Sequence, residues 1–448
     1  MQAKKYLLIF FLLFNCCFFM KLNFSAMAEE VKLISDAETE IFLQELINPF
    51  RQLAQLKEAK IYLVQDEAIN AFVDKNHNIF INTGLLMKFN KIEVLLGVLA
   101  HEIGHVVGKH ALKTEIYQQD KNKAFFGYGM ALGAILAKSP DSATAIALAT
   151  NEGIYKMQLK YSRQQEDSAD LIAIEFLEAL NYPVSGLKEI FQFFLQQSLQ
   201  ENLDRQQKIE LEYSQTHPLS EKRLTRIQQY QQKNAINWQK IAQFNERLLL
   251  IQAKLDGFLL PTDLVLKKYL DDNKTNHQIA RAVAYFRLNQ YQKSFQILDK
   301  AIKNNQSNGF LFELKAELLQ KSRHIDLAMQ NYQKAILLLD IKQSAMARLM
   351  LAEIVINQEN IQPKLLDFVE QKLMEAKFYL DDKPLFFKQI ATIFHLKKQY
   401  SYANFYLGKY YFLLQNEKKA KELWQEALKT EPPLDTQTKF IITDYGVL

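Results

Sequence analysis

The sequence predicts a mainly α chain in two parts, an α+β domain with a small β-sheet followed by an all-α domain of helical repeats. Three observations lead there. An apolar stripe of helical period surrounds His101-Glu102-Ile103-Gly104-His105, two short β-patterned runs precede it, and small residues recur 34 positions apart in the second half. The expected boundaries are 29–235 and 236–448, after a leader over 1–28.

The leader has Lys4 and Lys5 ahead of an apolar run from Tyr6 to Met20, then Ala26-Met27-Ala28 as an A-x-A cleavage site. That is a secretory signal layout, with a core too short and too interrupted by Asn15 for a comfortable membrane span. Both cysteines, Cys16 and Cys17, lie inside it, so cleavage near Ala28 leaves a mature chain without disulfides that must be held by core burial. Residues 1–28 hold three lysines and no acid, so their removal lowers the formal charge from +5 to +2. A near-neutral chain with no basic stripe is not expected to bind nucleic acid, and no mature segment is apolar for the length of a transmembrane helix.

The runs Ile69-Asn70-Ala71-Phe72 and Ile79-Phe80-Ile81-Asn82 precede this motif and are similar to a strand pair of the family named below; Asn78 to Asn82 is either an edge along which an extended substrate adds or an ordinary half-buried strand. The helix that follows is apolar at Leu95, Leu96, Val98, Leu99, Ile103, Val106 and Val107. Two histidines four residues apart share one face of such a helix, so His101 and His105 can meet a single Zn²⁺, with Glu102 near enough to handle a water there. Gly108 followed by His110 nearly repeats a longer zinc motif, but the histidine falls one residue early, and about 100° of helix rotation turns it away.

A third ligand is expected downstream. Tyr161 to Asp170 opens a helix in which Glu166 and Asp170 share a face at the start of an apolar stripe. Glu166 suits a ligand and Asp170 an acceptor from a ligand imidazole; spacing alone equally allows a solvated acidic helix start. His217, held before Pro218 in an extended or turn conformation, is either a site residue or a loop histidine capping a carbonyl. His77, His277, His324 and His395 have no second ligand at useful spacing. Residues 124–137 and 143–150 read as a helical hairpin, core or lid.

HEIGH, Arg163-Gln164-Gln165-Glu166-Asp167-Ser168-Ala169-Asp170 as a form of RxxExxAD, the strand pair, and Thr216-His217-Pro218 with Arg223 together resemble the M48 family of zinc metallopeptidases, over roughly residues 40–230. The resemblance implies a zincin-type fold, one Zn²⁺ per chain on His101, His105 and Glu166, Glu102 as general base, and support from Asp170. It further implies that His217 can reach the zinc and occupy the water's position, making a latent enzyme, or help to stabilise the oxyanion with Arg223.

In the second half, Ala282/Ala316, Ser294/Ala328 and Ala301/Ala335 sit at the repeat offset, and Gly408, Tyr411, Ala420, Trp424, Ala427 and Pro432 form a fuller late copy. These spacings resemble tetratricopeptide repeats, with a degenerate stretch at 341–380 and a long helix expected over 236–260. A leader, an M48-like domain and repeats in this order resemble family members of the Gram-negative envelope. That implies a periplasmic protease that clears misassembled outer-membrane proteins, with repeats docking on the outer-membrane assembly machinery. The competing reading is a chaperone-like repeat scaffold with a latent or structural zinc site.

Overall fold

The computed structural model describes residues 32–56, 59–74, 76–109, 161–199 and 216–444. The leader, His110 and the apolar segments at 124–150 lie outside them. Among the described residues no helix is long and apolar enough to cross a membrane.

The first elements are β1 (Leu33–Ile34), α1 (Ala37–Leu53), β2 (Ile61–Val64), β3 (Ala71–Val73), β4 (Ile79–Asn82), α2 (Thr83–Lys88) and α3 (Ile92–Val107). Asp36 caps α1, accepting from the Thr39 N–H, which satisfies one of the first-turn donors. The four strands form one sheet in the order β1-β2-β4-β3, with β2 and β4 parallel and the other pairs antiparallel. This corrects an expectation. β4, containing Ile79 to Asn82, is an interior strand with both edges taken, and its four residues are all buried. Among the described residues, the sheet's edge strand next to the HExxH helix is β3.

Helix α3 is buried almost all round, from Ile92 to Val106 apart from Glu93, as its nearly unbroken apolar sequence requires. Two glycines set its packing. A Cβ on Gly104 would meet the Ala169 backbone at 2.6 Å, and one on Gly97 would meet the Leu187 amide at 2.8 Å. Without side chains there, α3 lies directly against α4 (Arg163–Ala179) and α5 (Ser185–Ser198). The start of α4 is held by a capping box between Ser162 and Gln165. α6 (Glu221–Gln229) follows.

The helix expected over 236–260 is α7 (Trp238–Leu259), and it belongs to two cores. Ile241, Phe244, Leu248, Ile251 and Leu255 pack with the sheet and α3, while Ala253 and Gly257 meet the first repeat helices. After the short α8 (Thr262–Lys268) come α9 (Thr275–Arg287), α10 (Tyr291–Asn304), α11 (Gly309–Lys321) and α12 (Ile325–Leu338). They form two antiparallel hairpins in which Ala282, Ser294, Ala301, Ala316, Ala328 and Ala335 are fully buried, as close helix packing demands. The stretch read as degenerate also forms helices, α13 (Ala345–Ile356), α14 (Pro363–Glu375) and α15 (Lys377–Leu380). The array ends with α16 (Pro384–Leu396), α17 (Tyr400–Leu413), α18 (Glu417–Lys429) and α19 (Thr436–Asp444). Gly408 there leaves room for Trp424, whose Nε1 donates to the Phe405 carbonyl at 3.0 Å.

The repeats turn back onto the first domain. Lys60 pairs with Asp382 at 2.8 Å and Lys383 with Glu40 at 3.4 Å, both partly exposed and each worth at most about 1 kcal/mol. A more buried junction joins Asp36 and Glu38 of the first domain to Lys254 of α7, at 2.8 and 2.7 Å. Glu313 of α11 faces it. Burial, with the charges of Asp36, Glu38 and Glu317 outweighing Lys254, pushes Glu313 up to about 8. A carboxyl whose folded pKa is raised stabilises the fold below its ordinary value near 4.5, and that contribution is lost as pH rises toward 8. Glu313→Gln is therefore expected to raise Tm at pH 8 and to leave it unchanged at pH 5. Equal melting curves for the two proteins at pH 8 would refute this.

Candidate metal centre

The site is built by three segments: α3, the first turns of α4, and the turn at 216–218. One face of α3 presents both histidines, their Nε2 atoms 3.1 Å apart. The capping box starts α4 so that Glu166 faces them, its Oε2 3.3 Å from His101 Nε2 and its Oε1 3.3 Å from His105 Nε2. His217 completes the group, Nδ1 lying 3.3 Å from His101 Nε2 and 3.1 Å from Glu166 Oε1. All four side chains are buried. Glu102, next to His101 on α3, is fully buried as well.

Behind the donors runs a second row of charge. Asp170 Oδ1 lies 2.9 Å from His101 Nδ1, which commits that nitrogen as a donor, so that in the neutral ring a metal would require, the lone pair sits on Nε2, facing the cluster. Arg223, fully buried, donates from Nε to Asp170 Oδ2 at 2.7 Å and from Nη2 to Asp170 Oδ1 at 2.9 Å. Its Nη1 lies 2.7 Å from Glu166 Oε2 and donates to the Pro218 carbonyl at 2.8 Å. Its guanidinium is spent on two carboxylates and the turn that holds His217, so it is a frame for the donors.

Electrostatics follow from burial. Glu102 is pushed up to about 7 by burial, with His217 and His101 pulling the other way. Burial resists charge on His101, but the hydrogen bonds to Asp170 and Glu166 win and raise it to about 9. Burial would lift Glu166 as well; the surrounding histidines instead hold it far below the usual carboxylate range. Burial keeps His105 well below an ordinary imidazole.

This donor set fits a metal ion. Four ligands at about 2.0–2.1 Å in a tetrahedron lie about 3.3–3.4 Å from one another, close to the 3.1–3.3 Å found here. Two imidazole nitrogens facing each other across 3.1 Å need a proton or a cation between them, and a metal ion would serve His101, His105, Glu166 and His217 at once. His101, His105, Glu166 and His217 are the one such group among the described residues. Every residue singled out for the site in the sequence is brought here. One neighbour was missed: Tyr161, buried, whose ring stacks on His105 with centroids 3.7 Å apart. Its only sequence signal is its place just before the Ser162 cap.

An HExxH helix against a small sheet, joined by a carboxylate from the next packed helix, defines a domain of the metalloprotease class. Residues 37–231 match the model of peptidase family M48. It is 26% identical over 270 residues to the beta-barrel assembly-enhancing protease of Escherichia coli O157:H7, covering 57% of this chain and 53% of that protein. A putative beta-barrel assembly-enhancing protease of Vibrio cholerae is 24% identical over 270 residues, with the same coverage. The mitochondrial metalloendopeptidase OMA1 of Schizosaccharomyces pombe is 23% identical over 172 residues, 38% of this chain and 46% of that protein. The chain spans about half the length of the curated relatives it matches.

Proposed function

We propose that this chain is a periplasmic zinc endopeptidase that removes misassembled outer-membrane proteins, held latent at rest by His217. The observation that supports it best is the buried four-donor cluster with Glu102 beside it, His217 Nε2 standing 3.6 Å from Glu102 Oε1. His101, His105 and Glu166 would hold the zinc, with Asp170 and Arg223 fixing their orientation. When bound, zinc would acidify water and polarise the scissile carbonyl. His217 occupies the remaining donor position, on the side where Glu102 would meet water. Once His217 swings out, Glu102 takes the proton of the attacking water and delivers it to the leaving amine. An extended substrate would pair with the outer edge of β3, and main-chain pairing of that kind is largely blind to sequence.

The names of the relatives support envelope substrates, and the apolar leader supports export. The 34-residue hairpins are read as tetratricopeptide-like and as the part that docks on the assembly machinery. A second reading, a scaffold whose zinc is purely structural, has His217 in its favour, because a fourth protein donor closes the site. Against it stands Glu102, a buried acid that a structural site does not need.

Metal removal separates the two. Zinc-loaded chain is expected to cut a denatured protein, to stop after dialysis against a chelator, and to recover with added Zn²⁺. A zinc-loaded chain that melts higher with metal yet cuts nothing, even as His217→Ala, would favour the scaffold.

A further inference from the structure

We propose that Tyr161 is a positioning residue of the metal centre, its ring fixing the plane of His105 and its backbone seating the His217 turn on the donor cluster. The proposal rests on the metallopeptidase reading above.

Three contacts carry it. The Tyr161 ring is stacked on the His105 ring, 3.7 Å between centroids and 16° between planes. The same ring leans on His217, with centroids 5.4 Å apart at 43°. Its backbone N–H donates to the carbonyl of Thr216, the residue before His217, at 3.2 Å. Tyr161 also immediately precedes Ser162, whose cap starts the helix that presents Glu166. A single residue therefore touches each of the three segments that supply the donors.

The physical need is specific. Rotation about the last torsion of a histidine side chain is soft, so a donor nitrogen wanders unless the ring plane is held. For His101 that hold is supplied by Asp170 at 2.9 Å. For His105 a flat ring lying parallel against it restricts the same rotation by contact. The backbone bond to Thr216 then ties that clamp to the turn carrying His217, so loss of the ring is expected to loosen both ligands together. The ring stands parallel to one ligand and leans on a second, while the backbone of the same residue bonds to the turn bearing that second ligand.

The test uses the full-length chain loaded with Co²⁺, whose visible absorption reports the number and arrangement of its ligands. Tyr161→Phe, Tyr161→Leu and His217→Ala are compared with wild type, with Co²⁺ affinity measured by chelator competition and folding by circular dichroism. Tyr161→Phe keeps the ring, and is expected to retain the wild-type spectrum and an affinity within about threefold. Tyr161→Leu is expected to bind Co²⁺ roughly 10- to 100-fold more weakly, as losses around a ligand imidazole do, with its spectrum moved toward that of His217→Ala. If the Leu variant fails to fold, Tyr161→Met, which is flexible and ringless, takes its place with the same expectation. A folded ringless variant with unchanged spectrum and affinity would overturn the proposal. So would Tyr161→Phe as impaired as Leu, which would move the role from ring to hydroxyl. Wild type that takes up no Co²⁺ would remove the metallopeptidase reading and the proposal with it. Metal-loaded wild type beside an unmoved ringless variant removes the proposal alone.

Discussion

Glu102→Gln is expected to lower cleavage of a denatured protein by about 10²–10⁴-fold while leaving zinc content and fold unchanged. The amide keeps the size and shape of the side chain, and Glu102 is not one of the four clustered donors. Only the capacity to take and return a proton is lost. Stability should not suffer, because the carboxyl is buried and already raised to about 7, so a neutral group in its place removes a desolvated charge. Single-turnover cleavage, with metal content measured on the same sample, checks both halves. A Gln variant with kcat near wild type would exclude Glu102 as the base. One that loses its zinc would show Glu102 to be part of the metal's support.

The second large effect is expected at His217, and its sign is the informative part. His217 Nδ1 sits among the donors and Nε2 faces Glu102, so in the latent state proposed here the ring would fill the place where water must enter. If the open state is populated at roughly 1–10%, removing the ring raises the rate about 10- to 100-fold. Zinc should at the same time be held more weakly, since one of four donors is gone. A rate lowered by about 10²–10³-fold instead would mark His217 as an oxyanion donor. That result would leave the metal site standing and remove the latency. Measuring activity and zinc affinity on the same His217→Ala preparation tells these outcomes apart.

Much of the centre was legible before any coordinates because its information is local. His101, Glu102 and His105 lie within five residues, and the helical period dictates which of them share a face. Glu166 and Asp170 are read in the same way, one turn apart at a capped helix start. The 34-residue offsets of small residues are legible for a related reason: each marks a helix–helix contact that tolerates no larger side chain. Where the pattern weakened, over 341–380, packing still formed helices, because an apolar stripe is enough once neighbouring hairpins cover it.

The sheet order was not legible. β4 is apolar at successive positions, which suits a strand covered on both faces, but periodicity does not say which strands flank it. The parallel pairing of β2 with β4 leaves β3 at the margin, and so moved the expected substrate edge from 78–82 to 71–73. The roles of Arg223 and Tyr161 were equally hidden. Arg223 in a sequence is a charge of unknown reach; in the fold it is enclosed by Asp170, Glu166 and the Pro218 carbonyl, with Phe191 beneath its guanidinium. Tyr161 was only the residue before a helix cap.

By itself, then, the sequence determined the elements and the chemistry each can offer: an HExxH helix, an acidic helix start, a histidine held before proline, and helices with small residues in register. Tertiary structure decided which of these meet. His217 lies 116 residues from His101 along the chain and 3.3 Å from it in space. No local period encodes that approach. It depends on α3 and α4 touching at Gly104 and Ala169, and on Arg223 anchoring the 216–218 turn to the same carboxylates that hold the histidines.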